Sequence, residues 1–106
     1  MPYSPTEFLL IALAGCAGMD VVAILKKKRQ PVEGLRMLVT PERASELPRS
    51  FTAIKLEYLI RGDVQPEAIE RAIELTETKY CPVHATLAPT VKITHTYRLD
   101  PAPPTD

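Results

Sequence analysis

The side chains of this chain suited to redox, nucleophilic or soft-metal chemistry are two cysteines, Cys16 and Cys81, and two histidines, His84 and His95. Cys16 lies inside an apolar run, where a thiol is more often a packed small hydrophobe than a nucleophile. Asp20 follows it by one helical turn, and a carboxylate that close raises the thiol pKa if it is ionised. An activated Cys16 therefore needs a cation from elsewhere in the fold. Cys81 stands before Pro82 in Tyr80-Cys81-Pro82-Val83. That sequence starts a short helix, and a thiol at a helix N-terminus meets free N–H groups that favour the thiolate. His84, three residues on, suits either a Cys-His diad or a pair of metal ligands. Zinc sites usually take four ligands, and no Cys-x-x-Cys pair is present, so His84 reads as an ordinary polar residue of the short helix. His95 reads as a core histidine with a hydrogen-bond partner. Neither a metal nor another cofactor is expected, and phosphate-loop, serine-elbow and dinucleotide motifs are missing from the sequence.

The elements that must position these residues are legible from periodicity. Ser4, Pro5 and Glu7 form a capping-box start, so a helix begins near Pro5. It runs to about Lys28, where Lys26, Lys27, Lys28 and Arg29 suit the negative helix end and Pro31 prevents continuation. From Phe8 to Leu25 this helix is apolar on every face, so it cannot lie with one side in water. Strands are expected over Leu35 to Thr40, bounded by Gly34 and Pro41, over Phe51 to Arg61, and over Thr90 to Leu99. An amphipathic helix from Pro66 to Lys79 puts Ile69, Ala72, Ile73, Thr76 and Tyr80 on one stripe. The order of elements predicts an α+β domain, with a long buried central helix packed on a small antiparallel or mixed sheet. Three strands are a small cover for such a helix, and a homodimer resolves the shortage. Residues 1–99 form the domain and residues 100–106 a Pro-rich tail.

Composition narrows the function. The 106 residues carry thirteen charges of each sign, which gives no reason to propose nucleic acid as a partner. Two cysteines do not make a disulfide-stapled secreted miniature, so a reducing, cytoplasmic setting is expected. Leu13-Ala14-Gly15-Cys16 has the look of a lipoprotein cleavage box, but no Lys or Arg precedes it and the apolar run continues past the cysteine. A membrane span would hold Asp20 near its middle, at about 2.5–3.5 kcal/mol on insertion scales. No membrane role is expected.

Two motifs carry a resemblance. The run from Ser4 to Val22, SPTEFLLIALAGCAGMDVV, looks like the central-helix motif of the OsmC/Ohr family, the osmotically inducible and organic hydroperoxide resistance proteins. Tyr80-Cys81-Pro82-Val83 resembles the second-cysteine motif of that family, in the same order and at a similar separation. The resemblance extends from about Ser4 to Leu99. It implies an OsmC-like fold and an intertwined homodimer in which sheets from both chains wrap two central helices. It also implies a thiol-dependent peroxidase. Cys16 would attack an organic hydroperoxide to give a sulfenic acid, Cys81 would condense with it to a disulfide, and an external dithiol would reduce that bond. An OsmC-like redox or binding protein without peroxidase turnover is the alternative.

Two departures bear on activity. The family's strands before the central helix supply an arginine that activates the peroxidatic thiolate, and here Met1 stands three residues before the N-cap. Arg36, Arg49 and Arg98 are the candidates to replace it. The family also uses a glutamate about ten residues before the cysteine. Glu7 stands nine before Cys16, which at about 100° per residue puts it on the opposite side of the helix. Glu7 therefore reads as the capping-box residue.

Overall fold

The computed structural model describes residues 3–100. Helix α1 spans Pro5–Lys27. Its capping box is formed: the Ser4 N–H donates to Glu7 Oε1 at 2.8 Å, and the Glu7 N–H donates to Ser4 Oγ at 3.4 Å. At the other end Lys28 is the C-cap, Arg29 takes a left-handed φ of 60°, and the chain turns into the sheet.

Strand β1 (Val32–Arg43) pairs antiparallel with β2 (Phe51–Gly62), and β3 (Lys92–Asp100) pairs parallel with β2, giving a mixed sheet of order β1-β2-β3. β1 is twice the expected length because Gly34 and Pro41 do not stop it. As an edge strand it can hold a proline whose missing N–H faces away from the ladder, and a register shift between Val32 and Gly34 absorbs the irregularity. At the far end of β2, Gly62 has φ 127° and a Cβ there would lie 2.3 Å from the Pro31 carbonyl oxygen, so only glycine fits.

The core is built from one stripe of α1 and one face of β2. Leu13, Ala17, Val21 and Leu25 recur every fourth residue and are fully buried, as are Leu56, Tyr58 and Ile60 at the alternate positions of the strand. Ile69, Ala72 and Ile73 of helix α2 (Pro66–Leu75) complete it. The other face of α1 is equally apolar but open: Phe8, Leu9 and Ile11 are nearly half exposed, and Met19 is 75% exposed. By length and composition α1 could cross a membrane, yet its Leu13–Leu25 stripe packs as a core helix.

The expected helix to Lys79 ends four residues early. Thr76–Tyr80 forms a single π-helical turn, closed by the Cys81 N–H donating to the Thr76 carbonyl at 2.8 Å, and α3 (Pro82–Leu87) comes next. The wider turn shifts the phase of the residues after it. Thr76 is fully buried as the stripe required, but Tyr80 is turned outward and half exposed, and Cys81 takes the inward position.

Candidate thiol pair

The fold brings the two cysteines together. The Cys81 S–H donates to Cys16 Sγ across 3.1 Å, between residues 65 apart in sequence. Cys16 is half-buried on the flank of α1, one residue before the buried Ala17. Cys81 is 3% exposed and caps α3, its sulfur accepting the His84 N–H at 3.3 Å. Both sulfurs are free thiols. The expectation that a helix start lowers the Cys81 pKa needs correction. Burial, and after it the S–H bond held by Cys16, push the thiol up to about 11, and the N–H groups of His84 and Val83 oppose this only in part.

Asp20, one turn after Cys16, completes a cluster: one of its carboxylate oxygens and the two sulfurs all lie within 4.8 Å of one another. Its Oδ2 is buried and has no hydrogen-bond partner among the described residues. Two sulfurs and one carboxylate are one ligand short of the four that a structural zinc site takes. His84 meets Cys81 through its backbone N–H rather than as a diad, and its ring Nε2 lies 3.9 Å from Glu77 Oε1. A cavity of about 450 Å³ opens beside the cluster, lined by Asp20, Ala23, Ile24, Lys27, Leu75 and Tyr80 among others.

Glu77, in the π turn, is a site residue that the sequence does not single out. Its Oε2 accepts the Tyr58 hydroxyl at 3.1 Å and its Oε1 the His95 Nδ1–H at 3.0 Å. Burial and the Glu77 carboxylate push the Tyr58 phenol far above its ordinary range, so it stays a donor. This carboxylate ties the turn that precedes Cys81 to β2 and β3. On a helical wheel Glu77 falls among the polar positions, and nothing in the sequence distinguishes it from Glu70 or Glu74. His95 has the partner expected of it but is not a core residue, because β3 is an edge strand and its side chain is 39% exposed.

The expected roles of Glu7 and the arginines resolve differently. Glu7 is held in the capping box, and the Ser4 N–H and hydroxyl lower its carboxyl pKa. Leu35 and Met37 reach Gly18 of α1, so strand alternation directs Arg36, between them, to the opposite face of the sheet. Arg98 shares that face, since both arginines pair in register with Leu59. Arg49 sits in the β1–β2 loop, where its carbonyl accepts Arg43 Nε–H at 2.8 Å.

Comparison with known proteins agrees with this architecture. The family model described as OsmC-like protein matches residues 2–96. Protein YhfA of Escherichia coli strain K12 is 43% identical over 97 residues, covering 91% of this chain and 72% of YhfA. A hypothetical protein from Aquifex aeolicus VF5 superposes with a TM-score of 0.89 at 32% identity, over 94% of this chain and 76% of the other. An organic hydroperoxide resistance protein OsmC from Legionella pneumophila, described as a predicted redox protein, shares the fold at a TM-score of 0.73 and 16% identity, over 91% of this chain and 69% of its own. With a family match that takes in α1, β1, β2 and both cysteines, the chain belongs to the OsmC-like protein family.

Proposed function

We propose that this chain is a thiol-dependent peroxidase that reduces organic hydroperoxides through Cys16 and Cys81. The observation that carries the reading is the 3.1 Å contact between two sulfurs brought from separate elements. The Cys16 thiolate attacks the O–O bond, giving Cys16–SOH and, with one proton, the alcohol. Cys81 displaces water from the sulfenic acid and forms the disulfide, and a dithiol returns both sulfurs to thiols while becoming a disulfide itself. The half-buried Cys16 suits the role of the sulfur that meets substrate, and the buried Cys81 suits the one that resolves. The working form is a homodimer in the cytoplasm, in which a second copy covers the apolar outer face of α1.

Turnover of an organic hydroperoxide, such as cumene hydroperoxide, with dihydrolipoamide as reductant tests the reading. Catalytic consumption is expected, with an oxidised intermediate two hydrogens lighter than the reduced chain. One observation favours a second reading, a redox or thiol-binding relative without peroxidase turnover: Asp20 lies beside the pair, while Arg36 and Arg98 are directed to the far face of the sheet. On that reading hydroperoxide reacts little faster than with a free thiol, although a small disulfide still oxidises the pair.

A further inference from the structure

We propose that Asp20 is the proton-transfer residue of the Cys16–Cys81 couple, taking the Cys81 proton as that sulfur attacks and delivering it to the leaving group. The inference rests on the reading of the two cysteines as a redox pair, but not on the identity of the oxidant. In the resolving step the Cys81 sulfur forms the S–S bond, the bond from Cys16 to its leaving group breaks, and the Cys81 proton must go to a base. Cys81 is buried and its pKa is raised, so at neutral pH the proton is still on the sulfur when the step begins. A positioned base is what the step requires.

The surroundings offer few. α1 supplies Cys16 and Asp20, and the adjoining cavity adds Lys27 of α1, its C-cap Lys28, Tyr80 of the π turn and Leu75 of α2. An ammonium group has three donors and no acceptor, and a phenol hydroxyl is a poor base, so neither takes up the proton. β1 presents the apolar Leu35 and Met37 to α1. Glu77 is engaged by Tyr58 and His95, and the His84 ring lies toward Glu77. Asp20 remains, with a carboxylate oxygen within 4.8 Å of both sulfurs and a buried Oδ2 that has no hydrogen-bond partner among the described residues. That separation is bridged by one water or a small side-chain rotation, as is common before a reacting complex forms. Because the carboxylate is near both sulfurs, it can accept the proton from Cys81 and hand it to hydroxide leaving Cys16, ending the step as it began. During reduction it supplies the same proton to departing Cys81.

The test avoids peroxide. Treating the reduced chain with an aromatic disulfide, 5,5′-dithiobis(2-nitrobenzoate), places one thionitrobenzoate on the more exposed Cys16. Attack by Cys81 then releases it as a coloured thiolate, with the proton lost to the base. The wild type is expected to release it at a rate nearly constant from about pH 6 to 9. Asp20→Asn should slow the release by about a hundredfold at pH 7 and make it rise tenfold per pH unit, as for a thiol that waits for hydroxide. Asp20→Glu should keep the flat profile. A wild-type rate that itself rises tenfold per unit from pH 6 overturns the proposal without any variant, so misfolding of Asp20→Asn cannot protect it. It is equally overturned if Asp20→Asn matches the wild type, or if His84→Gln and not Asp20→Asn removes the flat region. Asp20-dependent release in a chain inert to hydroperoxide upholds the assignment and overturns only the peroxidase reading.

Discussion

Cys16 and Cys81 touch, yet the fold holds them by different means. Cys16 belongs to a 23-residue helix whose backbone ladder is continuous and whose neighbours Leu13 and Ala17 are fully buried. Cys81 stands in a break between a five-residue π turn and a six-residue helix. It is positioned by polar bonds: Glu77 to Tyr58 and His95, the Thr76 carbonyl to its N–H, and its own sulfur to His84. A disulfide needs sulfurs at about 2.05 Å, so on the proposed reading one of them moves through about an ångström in each cycle. The difference between the two settings assigns that movement. Short elements held by few bonds open more readily than a helix buried along one stripe, so Cys81 is the sulfur expected to travel.

Exchanging each cysteine separates the two roles most sharply. Cys16→Ser should abolish hydroperoxide consumption altogether, whereas Cys81→Ser should still be oxidised once and stop at a sulfenic acid that dimedone traps. Mass spectrometry after a single addition of hydroperoxide reads both, and equal loss in the two variants would erase the distinction. Next in size is the helix side. If a second copy covers the outer face of α1, Met19→Glu puts a charge into that interface in both subunits. Sedimentation at micromolar concentration should then change from dimer to monomer, the two Met19 side chains together being worth about 3–6 kcal/mol of burial. A wild-type monomer that unfolds cooperatively would show instead that the exposed stripe needs no cover.

On the Cys81 side, Glu77→Ala leaves the buried Tyr58 hydroxyl without its acceptor. A loss of about 1–3 kcal/mol in urea unfolding is expected, with slower disulfide formation and an unchanged rate of Cys16 alkylation. Should Cys16 alkylation change as much as disulfide formation, the π turn does not act on Cys81 alone. The smallest effect is on pH dependence. The folded Cys81 thiol keeps its proton while an unfolded one, near pH 9, loses it, so the folded state binds more protons between about pH 9 and 11. Stability due to this group is complete below pH 9 and is lost as pH rises toward 11. Wild-type chain should therefore lose stability more steeply than Cys81→Ala over that window, and parallel curves would mean that Cys81 ionises as freely folded as unfolded.

Legibility in the sequence tracks the reach of the forces involved. α1 is readable at both ends, because a capping box, a basic last turn and Pro31 act within a few residues. The inward face of β2 is likewise visible as strict alternation of Ile54, Leu56, Tyr58 and Ile60. The family motifs indicate that Cys16 and Cys81 belong together, which no local rule supplies across 65 residues. The π turn is not readable, since its extra residue is held by a carboxylate on a strand tyrosine and an edge histidine, partners known only once the sheet exists. For the same reason the helix-start argument for Cys81 gives the wrong sign: it counts the nearby N–H groups but not the burial. Asp20 is visible as a neighbour of Cys16 by spacing, but its closeness to Cys81 is not.

The sequence distance between the cysteines has a thermodynamic meaning of its own. A bond between residues 65 apart encloses β1, β2 and α2 in one covalent ring, and the chain-entropy model gives a ring of that size about 4 kcal/mol of restraint on the unfolded ensemble. Oxidation and folding are then linked quantities. If the pair is oxidised as proposed, each oxidised molecule is expected to be harder to unfold than its reduced counterpart, and by the same cycle the native state would favour the oxidised couple over what two unfolded thiols would reach. On that reading the melting temperature of this chain becomes a readout of its redox state, with the reduced form expected to melt first.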